Sequence, residues 1–200
     1  MDLLDKLDRE NKQEQKKLEV EKNPCLDCLL KLWELSIKNS PANSIEIYDQ
    51  SNLFSIWNER YTDVILTKEK IKEFCLTLVM YQNLRNFEIA NGLFLSGLIN
   101  NCVDQEIILP VAHFQENPQY IGYKNKEKNI IINGNVGYGL GMDMEGGTIT
   151  LNGNIKDALG SGLYGGKFYV NGYFAFISPT IKGGDIYHKG KLIVKGGKIL

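Results

Sequence analysis

The chain has 200 residues, 43% of them hydrophobic and 24% charged, with a formal net charge of −1. This is the composition of an ordinary soluble protein of one domain or two small ones, and it excludes whole-chain steering of anions or cations. No run of eighteen apolar residues is present to span a membrane, and the opening MDLLDKLDREN lacks the apolar core of a signal peptide, so a cytoplasmic location is expected.

Residues 2–22 alternate acids and lysines, with Leu3, Leu4 and Leu7 at one end and Leu18 and Val20 at the other. They read as a solvated helix or a mobile arm. Asn23-Pro24 then opens a cleaner helix, because proline suits the first helical position. Leu26, Leu29, Leu30, Trp33 and Ile37 share one face of it, and Ser40-Pro41 closes it. Cys25 and Cys28 form a single C-x-x-C in this helix. They are the only candidates for metal or redox chemistry. A structural zinc site wants four ligands, usually as a second pair, and none exists here. The competing reading is two reduced thiols packed at i and i+3. No cofactor is expected.

SIEIY (44–48) alternates like a short strand, and 51–61 reads as a helix with Leu53, Ile56, Trp57 and Arg60 in play. Thr67 is placed to cap a helix over 68–84, whose apolar face carries Ile71, Phe74, Cys75, Leu78, Val79 and Leu84. A further helix fits 91–101, with Leu93, Phe94, Leu98 and Ile99 inward. EIILPV (106–111) switches to strand character and fits an irregular first coil, and 115–129 reads as a polar loop. A boundary near residue 105 therefore separates a mainly helical region (1–105) from a second region (106–200).

That second region is periodic. Gly134, Gly153 and Gly172 recur every nineteen residues, and the pairs Gly146-Gly147, Gly165-Gly166 and Gly183-Gly184 recur after nineteen and then eighteen. A fixed period near twenty predicts a solenoid in which each repeat is one coil. Side chains two and four residues before each Gly134-type glycine fall on one face of a strand: Ile132 and Ile130, Leu151 and Ile149, Val170 and Phe168. Ile131, Thr150 and Tyr169 lie between them and face out. Met144, Leu163 and Ile181 supply a third inward position. The glycines mark corners, where positive φ or close stacking is needed, and Asn135 and Asn154 tolerate left-handed geometry or bond along the stack. The third coil departs, with Tyr173 in place of asparagine and Pro179 where Gly141 and Gly160 stand. Lys189-Gly190 reads as the turn of a C-terminal hairpin capping the solenoid, with His188 in the slot above which Val170 stands. The expected class is α+β, a helical region followed by a β-solenoid of about four coils.

The motif Gly134-Asn135, Gly141, Gly146-Gly147, repeated in phase as Gly153-Asn154, Gly160, Gly165-Gly166, resembles the GXGXG β-helix domain. That family includes the C-terminal domain of the glutamate synthase large subunit and a β-helical subunit of formylmethanofuran dehydrogenase. The resemblance covers residues 106–197 and implies a right-handed β-helix. It also implies no catalytic residues, only a spacer and docking surface for the parts of a larger complex.

Three functions are weighed. The first is a non-catalytic scaffold, such as an accessory subunit of a redox or amidotransferase-like complex, with a protein partner or self-association. The second is an enzyme or small-ligand binder between the helices and the solenoid, using Tyr164, Tyr169, Tyr173, Tyr187 and His188 with Asp157 and Asp185. The third is nucleic-acid binding. From residue 128 onward there are eight lysines, no arginine and four acids, a net of +4 that leaves −5 for the rest. The lack of arginine disfavours a nucleic-acid grip, and lysines on outward strand positions serve solubility. No membrane partner is expected.

Overall fold

The computed structural model describes residues 24–38 and 65–200. The expectations for 2–22, 44–48 and 51–61, and the side chains of Cys25 and Ile37, lie outside the described residues. Among the described residues three α-helices come first: α1 (Pro24–Lys38), α2 (Lys68–Thr77) and α3 (Phe87–Asn101). Thr67 caps α2 as expected, its hydroxyl accepting the Lys70 N–H. The helix expected over 68–84 is shorter, because at Leu78 it tightens into a 3₁₀ turn (Leu78–Tyr81). Asn86, at φ 60°, then swings the chain directly into α3, which starts earlier than the expected residue 91.

The sequence predicts one inward face for α3, but eleven of its residues are buried. Both sides are covered. On one side Trp33 of α1 meets Phe87 edge-on at 5.9 Å, and Phe87 meets Phe114 of the first coil at 5.4 Å. On the other, the first coil lies against small residues. Gly92 faces the Gln119 carbonyl so closely that a Cβ would overlap it. The Ser96 hydroxyl oxygen accepts the Gly122 N–H at 2.9 Å and the Tyr123 N–H at 3.3 Å. A hydrogen bond from the Gln119 N–H to the Glu88 carbonyl (2.8 Å) ties the same coil to the start of the helix.

Seven strands follow in one sheet, in chain order: β1 (Glu106–Pro110), β2 (Asn129–Asn133), β3 (Thr148–Asn152), β4 (Lys167–Val170), β5 (Asp185–His188), β6 (Lys191–Lys195) and β7 (Lys198–Ile199). β1 to β5 are parallel, so each step from strand to strand is a full turn of chain. Isolated parallel bridges Val136–Ile155 and Leu159–Ile177 form the other walls. The fold is a β-solenoid of about four turns. β6 and β7 fold back antiparallel, with Lys189 and Gly190 both at positive φ in the tight turn that such a hairpin requires.

The strand faces follow the sequence reading. Ile107, Ile130, Ile149, Phe168, Ile186 and Val194 form one inward column across the sheet, all within 1% exposure, and Leu109, Ile132, Leu151 and Val170 form a second. The third, Met144 over Leu163 over Ile181, is also present. Two more columns went unread in the sequence, Val136–Ile155–Phe174 and Leu140–Leu159–Ile177. The segment 115–129 is not a polar surface loop. It forms the walls of the first coil, burying Ile121, Tyr123 and Asn125. Its backbone pairs with the next coil, from Gly137 to Pro118, Gly141 to Ile121 and Tyr120 to Tyr138. One hydrophobic core runs without a break from Leu29 of α1 to Val194 of β6.

The double glycines do two jobs. The second of each pair, Gly147, Gly166 or Gly184, sits at φ between 76° and 82°, where a β-carbon is strained. The first, Gly146, Gly165 or Gly183, stacks on a carbonyl of the preceding coil, leaving no room for a Cβ.

Candidate interaction surfaces

Most of the polar side chains singled out in the sequence are used to hold coil to coil. Asn135 and Asn154 each lend their side-chain oxygen to the backbone of the next coil, to Asn154 N–H at 2.9 Å and Tyr173 N–H at 2.8 Å. A second ladder was missed in the sequence. Asn152 donates to Asn133 at 2.9 Å and Asn171 donates to Asn152 at 2.8 Å, each side chain polarising the next along the stack. The signal for it was the dipeptide Asn-Gly recurring in all three repeats.

The candidates for a ligand site are spread over different coils and walls of the solenoid. Tyr169 and Tyr187 stack at 4.8 Å on the outer face of the sheet. The Lys182 ammonium lies over the Tyr164 ring and donates to its hydroxyl at 2.8 Å. The Lys189 ammonium lies 4.7 Å over Tyr173. His188 donates from Nε2 to the Gly172 carbonyl at 2.9 Å, which fixes its tautomer, and Phe174 meets its ring edge-on. Asp185 accepts the Gly196 N–H at 2.9 Å and so pins the turn between β6 and β7. Asp157 stands near Tyr120, whose phenol is pushed up first by burial and then by that carboxylate. The helices are elsewhere: α2 packs on β1, at the opposite end of the strand order from Tyr187 and His188. The structure does not bring these residues and the helices together.

A cavity of about 410 Å³ does lie between the helical region and the solenoid. Asn100, at the end of α3, lines it with Lys124, Lys126, Glu127 and Lys128 of the first coil. Lys128 is buried; its ammonium donates to the Cys102 carbonyl at 2.8 Å and stands 3.7 Å from Glu127. Cys102 is the C-cap of α3, so the ammonium meets the negative end of that helix.

Cys28, Cys75 and Cys102 are free thiols, and with the Cys25 side chain outside the described residues the C-x-x-C pair has no described geometry. Burial pushes Cys75 up to about 12 and raises Cys102, which keeps both as neutral thiols. Among the described residues no group of three or more His, Cys, Asp or Glu is arranged to hold a metal ion, and no helix is long and apolar enough to cross a membrane.

The two ends of the solenoid differ. The first coil is sealed: Val111, Phe114 and Ile121 are at most 7% exposed beneath the helices. At the other end Tyr173 is 71% exposed and Phe176 55%, and Phe174, Ile177 and Ile181 are only partly buried. The outer face of the sheet carries a half-exposed row across the strands, Ile108, Ile131, Thr150, Tyr169, Tyr187 and Leu192. No protein-family model, curated protein or solved structure matches the chain.

Proposed function

We propose that this chain is a non-catalytic scaffold or interaction protein, an accessory subunit that holds other parts of a metabolic complex through its solenoid. The observation that carries this reading is the use made of the polar side chains. Proton transfer or nucleophilic attack needs a base and an acid free to reach a substrate. Here His188, Asp185, Asn154 and Tyr164 are each bonded to a neighbouring coil or turn. What remains to the surroundings is surface: a flat outer sheet face and an open coil end. The resemblance to the GXGXG β-helix domain points the same way, since that domain serves as a spacer between catalytic parts, and a redox or amidotransferase-like complex is the corresponding setting.

The test is purification of the protein at native abundance, with quantitative mass spectrometry of what accompanies it. A partner in near-stoichiometric amount supports the reading. A partner-free protein that turns over a substrate in a metabolite screen refutes it.

A second reading is favoured by the cavity beside α3. Three lysines and one glutamate leave it net positive, suited to a small phosphate- or carboxylate-bearing ligand. A rise in melting temperature with such anions, abolished by Lys126→Gln, would support it, and an unchanged melting temperature across them would dismiss it.

A further inference from the structure

The hydrophobic core is closed at one end of the solenoid and cut open at the other. Phe174, Ile177 and Ile181 each end an inward column, and each is only partly buried. The members directly before them, Ile155, Leu159 and Leu163, are at most 4% exposed. A fourth column passes from Ile186 through Val194 to Ile199, where exposure jumps from 0% to 63%. The terminal hairpin explains this. β6 and β7 extend the sheet wall by two strands, and they leave these side chains only partly covered. The result is a ledge, with a floor of half-covered core side chains and one overhanging wall.

The wall is basic. Lys189, Lys191, Lys195 and Lys198 surround the hairpin, with Asp185 the one acid between Gly184 and the last residue. Lys195 and Lys198 are directly opposite each other across β6 and β7. Like charges in that position destabilise a strand pair. An anionic group between them would remove the cost.

We propose that this open end is the docking surface for an acidic amphipathic segment of a partner protein. Its apolar side chains seat on Phe174, Ile177, Ile181 and Ile199, and its carboxylates meet Lys195 and Lys198. The charge pattern decides against a second copy of this chain as the occupant. A two-fold pairing would set one lysine rim against the same rim. Lysines on an edge strand also deter strand addition. The inference rests on the scaffold reading and specifies which surface serves it and what it holds.

The experiment places a photoreactive group at the ledge in the full chain, as Phe176→benzoylphenylalanine, and cross-links in the native cell. The expected product joins position 176 to another protein, through a segment with net negative charge and apolar residues at every third or fourth position. Made as a synthetic peptide, that segment binds the full chain more weakly as salt rises. Lys195→Gln with Lys198→Gln weakens it roughly 2- to 30-fold, the range for two exposed ion pairs. Ile199→Ser, at an exposed side chain of the proposed seat, weakens it as well. Tyr138→Ser, at a side chain 50% exposed in the first repeat, leaves it unchanged. Cross-links to a second copy alone overturn the proposal, as does a neutral or basic segment, or binding indifferent to the lysine substitutions. If the native protein retains a stoichiometric partner while position 176 cross-links to nothing, this inference fails and the scaffold reading stands. If it retains no partner at all, both fail.

Discussion

Replacing Gly153 with alanine tests what sets the spacing of the coils. A Cβ on Gly153 would fall on the carbonyl oxygen of Gly134 in the coil before, with the N–H of Asn135 only 3.1 Å away. These are backbone atoms, so no flexible side chain can move aside. The two corners must separate, and overpacking of this kind costs about 1–3 kcal/mol. The bonds that cross the same corner stretch with it: Gly134 N–H to Asn152 O at 3.2 Å, and Asn154 N–H to the Asn135 side chain at 2.9 Å. Two such bonds contribute about 1 kcal/mol each. The sum is a loss of roughly 3–5 kcal/mol. For a chain of this size that lowers the melting temperature by roughly 6–20 °C. Gly190→Ala is the matched control. Gly190 sits at φ +80° with nothing within 4 Å of a built Cβ, so alanine there meets only backbone strain, about 1–2 kcal/mol. Urea unfolding followed by circular dichroism measures both. If Gly153→Ala costs no more than Gly190→Ala, coil-to-coil contact is not what glycine serves at that corner.

Three further outcomes are expected. Asn152→Ala removes two rungs of the side-chain ladder and Asn171→Ala one, so in urea titrations the central substitution should cost about twice the terminal one, with each rung near 0.5–1 kcal/mol at this exposed site. Ser96→Ala leaves the buried Gly122 N–H without its acceptor and loosens α3 from the first coil; the expected loss is about 1–3 kcal/mol, together with faster amide exchange at Gly122 and Tyr123. The Cys75 thiol stays protonated in the fold to about pH 12, whereas in the unfolded chain it ionises near 9. The unfolded state therefore binds fewer protons between those values, and stability falls as pH rises through that window. Measured against Cys75→Ala, the wild-type protein should lose stability with a steeper slope above about pH 9, and parallel curves would contradict the burial argument.

The solenoid was legible because its order is periodic. Residues one coil apart share an environment, so Ile130, Ile149 and Phe168 declare their column by spacing alone. Where the period lapses, so does the reading. The first coil takes twenty-three residues from Glu106 to Asn129, where the next takes nineteen, and it turns on Pro118 without the Gly134-type corner. Its inward Ile121 and Tyr123 were hidden among lysines and asparagines. In α3 the obvious leucines gave one face correctly. The second face is made of Gly92 and Ser96, whose smallness is what lets the first coil approach. Small residues one helical turn apart were the available signal. The basic cavity had no sequence signature, because Asn100 and Lys124 meet only through the packing of α3 on the coil.

The coil-by-coil register has a consequence for how the chain acquires its fold. Every parallel pairing in the sheet joins residues eighteen to twenty-three positions apart, and the antiparallel pairings of the hairpin are closer still. A newly made coil therefore finds its template in the segment made just before it, and loop closure costs the same modest entropy at each step. The helices and the sealed first coil precede the repeats along the chain and offer them a finished surface. Assembly then propagates from coil to neighbouring coil, each turn serving as the mould for the next.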